Sequence, residues 1–253
     1  MKKIFLNYGL FLVLVLTATV FNSCDKGDDP DSASKITATN VINGSTQIET
    51  VKALAYWDGD DWESDDYGYD TIAQAPYQNN GFVLELPATM GAKYLETLEL
   101  DDDELLEAGI SISNKNVKIF FLEYLIGYNV DDDEIGDFYL GEETENSLHY
   151  TFWVYVDGDV TIKGEYKDIH DDYGVIEKCD LTLKKGWNIV YGSETENYDN
   201  STGGYVDLYT ISNKKPSGVN YAWNFYGYSV WQQKRLKTQN LVFSKWKESR
   251  KKR

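Results

Sequence analysis

The chain has 253 residues, contains 20 Tyr but only four Pro, and carries a formal net charge of −18. Its 42 Asp and Glu outnumber its 24 Lys and Arg, and all three Arg lie beyond residue 230. Because phosphate backbones are bound by Lys and Arg, this balance argues against nucleic acid as a partner.

The first 23 residues have the layout of a secretory signal peptide. Lys2 and Lys3 are followed by an apolar run over residues 10–20, and a polar, acidic stretch begins at residue 25. The apolar run is shorter than the ~20 residues that a membrane-spanning helix needs. The sequence therefore predicts that residues 1–23 are a signal peptide and that the remainder is exported.

Cys24 stands where this signal ends. The segment resembles a bacterial lipoprotein signal, in which the Cys becomes the lipidated first residue, although Phe21 and Asn22 depart from the usual pattern. The acidic residues 24–34 resemble the flexible tether of surface-exported Bacteroides-type lipoproteins. The resemblance implies lipidation at Cys24, an outer-membrane anchor and cell-surface display. The alternative is an ordinary cleaved signal in which Cys24 lies by chance.

Stability must come from a packed core if Cys24 is lipidated. Cys179 is the only other Cys, so an intramolecular disulfide is then impossible even in an oxidising compartment. Cys179, Leu181 and Leu183 alternate along one predicted strand and should point inward. We therefore predict that Cys179 is a buried, unreactive thiol, and that Trp153 and Trp187 also belong to the core.

Residues 35–230 are predicted to form a single domain of strands. Segments rich in Tyr, Val, Ile and Thr are separated by Gly, Asn and Asp, a pattern typical of strands and turns. Strands are predicted at residues 36–42, 46–57, 82–87, 116–128, 138–140, 150–156, 160–166, 179–183, 187–191, 205–211 and 220–228. The helical candidate, residues 92–108, is interrupted by three Asp at 101–103. The predicted fold class is all-β, an antiparallel β-sandwich (immunoglobulin-like or related) with little helix.

Asp157-Gly158 is the clearest turn signal, because this dipeptide favours a two-residue type I′ hairpin turn. Such a turn pairs four apolar residues on one face: Tyr155 with Val160, and Trp153 with Ile162. A slip of one residue would bury Lys163 instead. The pattern therefore predicts a hairpin whose core face carries these four residues.

Three short segments carry a resemblance to a family: GFVLELP at residues 81–87, KGWNIVY at 185–191 and PSGVNY at 216–221. Together with the lipoprotein start, they look like small uncharacterised lipoproteins of Bacteroides-type gut bacteria, over residues 1 to about 228. The resemblance implies an envelope protein and supplies no catalytic residues.

Catalytic chemistry finds little support in the sequence. His149 and His170 are the only histidines, no Gly-x-Ser-x-Gly is present, and no Cys and His have the spacing of a zinc site. A carboxylate pair suited to glycoside hydrolysis would arise by accident among so many Asp and Glu. We therefore predict a non-catalytic protein.

The acidic loop near residues 58–70 is the predicted binding region, since loops on a rigid scaffold usually carry binding sites. Four aromatic residues are candidates to stack on a sugar: Trp57, Trp62, Tyr67 and Tyr69. Five carboxylates are candidate calcium ligands, calcium being the one cofactor considered: Asp58, Asp60, Asp61, Asp65 and Asp66. Their spacing does not match an EF-hand loop. The alternatives are a Tyr-rich loop without a ligand and a solvated acidic loop.

Residues 231–253 differ in composition from the rest of the chain. They carry nine of the 24 basic residues, one Glu, and no Asp, Tyr or Gly. We predict a basic tail that is disordered or marginally helical. Three roles remain open: binding of anionic lipid or a partner, attraction to the acidic body, and an extension without a role.

The sequence as a whole predicts a lipid-anchored protein of the cell envelope that binds a glycan or another envelope protein. A structural or adhesive subunit without a small ligand is the first alternative. A glycoside hydrolase that uses two carboxylates is the weaker one.

Overall fold

The computed structural model describes residues 33–58, 67–97, 109–122, 124–169, 173–199 and 204–228. The predicted signal peptide, Cys24 and most of the tether lie outside these residues, as do His170 and the basic tail. Among the described residues there is no helix with the length and apolar character that crossing a membrane requires.

The described chain is built from strands, so the all-β prediction is confirmed. Their bounds are β1 (Lys35–Ala38), β2 (Thr50–Asp58), β3 (Tyr67–Pro76), β4 (Phe82–Glu85), β5 (Glu96–Thr97), β6 (Ile110–Ile112), β7 (Lys118–Leu122), β8 (Tyr124–Tyr128), β9 (Glu134–Glu143), β10 (Ser147–Val156), β11 (Val160–Ile169), β12 (Tyr173–Leu183), β13 (Gly186–Asp199), β14 (Gly204–Ser212) and β15 (Ala222–Gly227). The helical candidate opens with a single 3₁₀ turn, Ala92–Tyr94.

Thirteen of these strands form one large sheet. Its main order is β3-β2-β8-β9-β10-β13-β14-β12-β11-β6, with β15 on β9, β7 on β10 and β5 on β7. The strand pairs within the described ranges are antiparallel except for β12 with β14, because β14 inserts between the consecutive strands β12 and β13. The sheet is therefore mixed, which departs from the purely antiparallel prediction.

A second, two-stranded sheet pairs β1 with β4 and covers one face of the large sheet. Its inward residues Ile36 and Leu84 join a first core with large aromatic side chains of β7, β10 and β13. The indole of Trp223 donates to the Thr37 carbonyl at 3.0 Å, and the indole of Trp187 donates to the Pro87 carbonyl at 2.8 Å. This arrangement of two sheets around a core is that of a β-sandwich.

The predicted hairpin at Asp157-Gly158 is wrong, because β10 and β11 do not pair with each other. β10 pairs with β13, β7 and β9, whereas β11 pairs with β12 and β6. A type I′ turn needs positive φ at both central residues, and neither Asp157 nor Gly158 adopts it. Instead the Asp157 carboxylate accepts a hydrogen bond from the Lys118 N–H at 2.8 Å, which ties this corner to β7.

The short link between β10 and β11 forces the large sheet to curl. Three strands, β13, β14 and β12, separate them, so four inter-strand spacings would place β10 and β11 about 19 Å apart in a flat sheet. The four Cα steps from Val156 to Val160 span at most about 14 Å. Strands β10 to β11 therefore wrap around an inner face.

That inner face encloses a second core. Val154 and Val156 of β10 lie in it with Val160 and Ile162 of β11, whereas Trp153 and Tyr155 lie in the first core. The four residues of the predicted hairpin are thus all buried, but on two faces. Cys179, Leu181 and Leu183 point into the second core, and burial raises the pKa of the Cys179 thiol to about 12. The predicted burial of Cys179, Trp153 and Trp187 is confirmed.

A pair of substitutions on β11 tests the curl. Ile162→Ala should lower the free energy of unfolding by ~2–5 kcal/mol, because it opens a cavity in the second core. The matched control Lys163→Ala removes a half-exposed side chain that pairs with Asp180 on the outer face, and should change it by less than ~1 kcal/mol. Urea denaturation measures both. Equal effects would contradict the assignment of the inner face.

Candidate functional site

The β2–β3 ribbon carries the described part of the predicted binding region. Its register places Tyr56 opposite Tyr69 and Trp57 opposite Gly68. Because successive side chains of a strand point to opposite faces, these two pairs lie on different sides of the ribbon. Trp57 and Tyr69, predicted to share a stacking platform, therefore do not face the same way.

Tyr56 and Tyr69 form an aromatic pair on the outer side of the ribbon. Their ring centroids lie 5.3 Å apart with an interplanar angle of 57°. Tyr69 is 52% exposed and Tyr56 is 38% exposed, and the described chain has a second exposed ring pair of this kind, Tyr198 with Tyr205 on β13 and β14. Sequence reasoning missed Tyr56, because the acidic segment between β2 and β3 hides which residues face each other.

Trp57 belongs to the inner side of the ribbon, where its ring is packed. A Cβ added to Gly68 would lie 3.1 Å from this ring, so the glycine makes room for the indole. The ammonium group of Lys93 lies 5.1 Å from the centroid of the Trp57 ring. This cation–π geometry fixes Trp57 against the 3₁₀ turn and leaves less of its face for a ligand than Tyr69 has.

Asp70 anchors the same turn to the ribbon. Its Oδ2 accepts a hydrogen bond from the Tyr94 hydroxyl at 2.6 Å and one from the Lys93 ammonium. These bonds, the one from Lys93 above all, hold the pKa of the Asp70 carboxyl below its ordinary value of 3.8. The same contact raises the pKa of Lys93. Asp70, Lys93 and Tyr94 thus form a local ionic support beneath Trp57.

The proposed calcium ligands fall almost wholly outside the described residues. Asp58 is placed as the last residue of β2, paired with Tyr67, and nothing further is described of these two side chains. Asp60, Asp61, Asp65, Asp66 and Trp62 lie between the described ranges. Within those ranges no group of three or more His, Cys, Asp or Glu has a metal-binding arrangement. The calcium site stays a prediction.

A second acidic run, at residues 131–134, is a turn between β8 and β9. The Asn129 carboxamide oxygen accepts hydrogen bonds from the N–H groups of Asp131 and Asp133, both at 2.9 Å. Asp132 adopts a φ of 64° and pairs with Lys52. These contacts show that Asp131, Asp132 and Asp133 serve to form the turn.

The register also brings a His, a Ser and a Glu side by side. Strand pairing places His149 between Glu142 of β9 and Ser193 of β13. Their hydrogen bonds go elsewhere: the Ser193 hydroxyl bonds to Thr210, and a Glu142 oxygen accepts from the Asn220 N–H at 3.1 Å. His149 Nδ1 is buried without a hydrogen bond to any described residue. The row thus lacks the Ser–His–Glu bonds of a catalytic triad.

A further polar group lies inside the curl and was not predicted. Glu177, Glu194 and Tyr209 come from three neighbouring strands and share the inner face with the second core. A sequence signal for Glu177 does exist: it precedes Cys179, Leu181 and Leu183 in the same alternation. Because every second residue of a strand points to the same face, the alternation alone predicts that Glu177 is a buried acid.

The ionic support predicts a pH-dependent effect of Asp70→Asn. A carboxyl group with a lowered pKa stabilises the fold above its unfolded pKa and loses that contribution as pH falls through the lowered value. Asp70→Asn should therefore reduce the free energy of unfolding at neutral pH, and the difference from the unmodified protein should shrink as pH falls below the ordinary carboxyl pKa of 3.8. Urea denaturation at several pH values measures this. A difference that stays constant with pH would contradict the ionic role.

Three comparisons with known proteins, against family models, curated proteins and solved structures, found no match for the chain.

Proposed function

We propose that the protein is a lipid-anchored, non-catalytic binding protein of the outer membrane, displayed at the cell surface, and that its ligand is a glycan. The carrying observation is the exposed ring pair Tyr56–Tyr69 on the outer side of the β2–β3 ribbon. The anchor is supported by Cys24 and the signal-like segment before it.

A tyrosine pair of this kind suits a sugar. Each ring offers a flat apolar face to the C–H face of a pyranose, and each hydroxyl can exchange hydrogen bonds with sugar hydroxyls. Two such rings on paired strands lose little conformational entropy on binding, because the backbone ladder holds them in place. The packed Trp57 and the Asp70–Lys93 pair support the ribbon from behind.

Non-catalytic binding is supported by the way polar groups are used. Glu142 accepts a hydrogen bond from Asn220, and the Ser193 hydroxyl bonds to Thr210, so neither bonds to His149 between them. The thiol of Cys179 is buried and its pKa is raised, so it is a poor nucleophile. A glycoside hydrolase that uses two carboxylates is a lesser candidate. Incubating a bound oligosaccharide with the protein and testing for cleavage distinguishes this activity from binding alone.

A structural or adhesive subunit is the second candidate function. The strand order of the large sheet begins at β3, which within the described chain is paired as a strand with β2 alone. An edge strand offers unpaired backbone groups to another chain. Adhesion through β3 would not require the exposed rings of Tyr56 and Tyr69, which separates it from glycan binding.

A glycan array tests the proposed ligand. The protein lacking residues 1–24 should bind a subset of glycans, and Tyr69→Ala should weaken this binding at least tenfold, because it removes half of the stacking surface. Tyr198→Ala is a matched control, since Tyr198 is 54% exposed and also lies in a ring pair, with Tyr205. Loss of binding in both variants, or no glycan bound at all, would refute the proposal.

The anchor has a separate test. Cys24→Ala should move the protein from the membrane fraction to the soluble fraction, because acyl chains supply the membrane affinity. Cys179→Ala removes the only other thiol and should stay with the membrane. Fractionation followed by immunoblotting measures this. Continued membrane association of Cys24→Ala, with the signal peptide cleaved, would show that the anchor is wrong.

A further inference from the structure

The inner face of the curl changes character along its strands. Near the β10–β11 link this face is the apolar second core. The next row of side chains across the strands, toward the β13–β14 connection, is polar. Strand pairing sets this row side by side across four strands: Glu194 of β13, Tyr209 of β14, Glu177 of β12 and Tyr166 of β11. Residues that face each other on paired strands share a side of the sheet. The row therefore faces the interior of the curl.

Two members of this row are deeply buried. Glu177 is 6% exposed and Tyr209 is 4% exposed. Glu194 and Tyr166 are half-buried, and Glu196, one row further out, is exposed. The next row outward, which includes exposed Glu196 and half-buried Asp207, is thus more accessible than Glu177 and Tyr209. Glu177 lies at the deep side of this end of the curl.

Tyr150 points a buried hydroxyl into the same place. A Cβ added to Gly192 would come within 2.3 Å of the Tyr150 ring and 2.7 Å of its hydroxyl, so the ring lies across this glycine toward β14. The hydroxyl is buried and makes no hydrogen bond to any described residue. It interacts electrostatically with Glu194 and Tyr209. A buried hydroxyl without a partner costs free energy, so this position is suited to a bound group that supplies one.

The two faces of strands β10 to β14 differ in charge, because their Lys side chains all lie on the outer face. The Lys residues of β10 to β14 are Lys163, Lys167 and Lys178, and all occupy the outer face by alternation. They pair there with Asp180 and Glu165. The inner face of the same five strands carries Glu177, Glu194, Glu196 and Asp207 and, among the residues that the structure describes, no Lys or Arg. The inner face thus has an excess of negative charge.

We infer that this end of the curl binds a primary ammonium group, carried by a small amine or by a lysine side chain. An ammonium group has three N–H donors and no acceptor. The row has the carboxylates of Glu177 and Glu194, of which Glu194 Oε1 also accepts from the Tyr209 hydroxyl at 3.4 Å, and the Tyr150 hydroxyl oxygen lies beside it. The rings of Tyr209 and Tyr166, on either side of Glu177, add an aromatic surface that favours a cation. This site is independent of the proposed glycan surface on β2 and β3.

The choice of a primary ammonium over other cations follows from the same groups. A quaternary ammonium has no N–H donor and would leave the Tyr150 oxygen without one. A metal ion would need three or more ligating side chains together, and the described residues contain no such arrangement. Tetramethylammonium should therefore bind at least tenfold more weakly than a primary amine of similar size.

Isothermal titration of the full chain in detergent at low salt tests the inference. The probes are 1,4-diaminobutane for a free amine and Nα-acetyl-lysinamide for a lysine side chain, with tetramethylammonium as the comparison. Whichever primary amine binds more tightly identifies the source of the group. Glu177→Gln should weaken that binding at least tenfold. Tyr150→Phe, which removes a hydroxyl that makes no hydrogen bond to a described residue, should weaken it several-fold while the protein stays folded.

Glu165→Gln is the matched control, because Glu165 lies on the outer face of β11, next in sequence to Tyr166. It should leave amine binding unchanged, and so should Tyr69→Ala. An equal loss in Glu165→Gln would show diffuse attraction to an acidic protein and overturn the site. Binding that survives both Glu177→Gln and Tyr150→Phe, or no binding of either primary amine, would overturn it as well.

Discussion

The structure depends on the link at residues 157–159, which joins two strands that lie four places apart in the sheet order. Because the link is too short to cross a flat sheet, the sheet must curl, and the curl creates the second core. Asp157 holds this corner through two hydrogen bonds with Lys118, one through its carboxylate and one through its N–H. β10 is consequently covered on both faces, with Trp153 on one side and Val154 on the other.

Alternation in the sequence predicted what a strand buries, but not which strand it pairs with. Cys179 and Leu181 were placed inward correctly, because a period of two depends only on the strand itself. The hairpin prediction failed on β10 because it took the face of Trp153 and Tyr155 as the core face, whereas Val154 and Val156 are buried on the opposite face. A strand that is apolar on both sides fits several partners equally well, so its pattern carries little information about register.

The change of strand partners between Leu122 and Tyr124 illustrates the same limit. Residues 116–128 were predicted as one strand, whereas the chain changes partner there: β7 pairs with β10, and β8 pairs with β2 and β9. The one acidic residue of this apolar run, Glu123, stands between the two halves in the sequence, but it does not indicate which strands each half pairs with. Partner exchange depends on the curl of the whole sheet, which no local pattern encodes.

The candidate site was predictable only in part, for a related reason. Sequence reasoning placed aromatic residues near the acidic loop but could not tell their faces. Tyr69 was therefore grouped with Trp57, although its ring partner is Tyr56. Glu177 could have been found from its phase with the core residues that follow it. Tyr150 could not, since the absence of a described partner for its hydroxyl is a property of the folded protein.

The proposed anchor and the fold together limit how far from the membrane a ligand can bind. The first described residues are packed against the sheet: Ala33 is buried, and the Ser34 carbonyl accepts a hydrogen bond from the Leu86 N–H at 2.7 Å. Nine Cα steps separate Cys24 from Ala33, which span at most about 30 Å when fully extended. An acylated Cys24 would therefore hold the sheet within a few nanometres of the membrane. At that distance, ligands fixed to the same surface would reach a high effective concentration, so the proposed glycan contact through Tyr56 and Tyr69 would need only a weak intrinsic affinity.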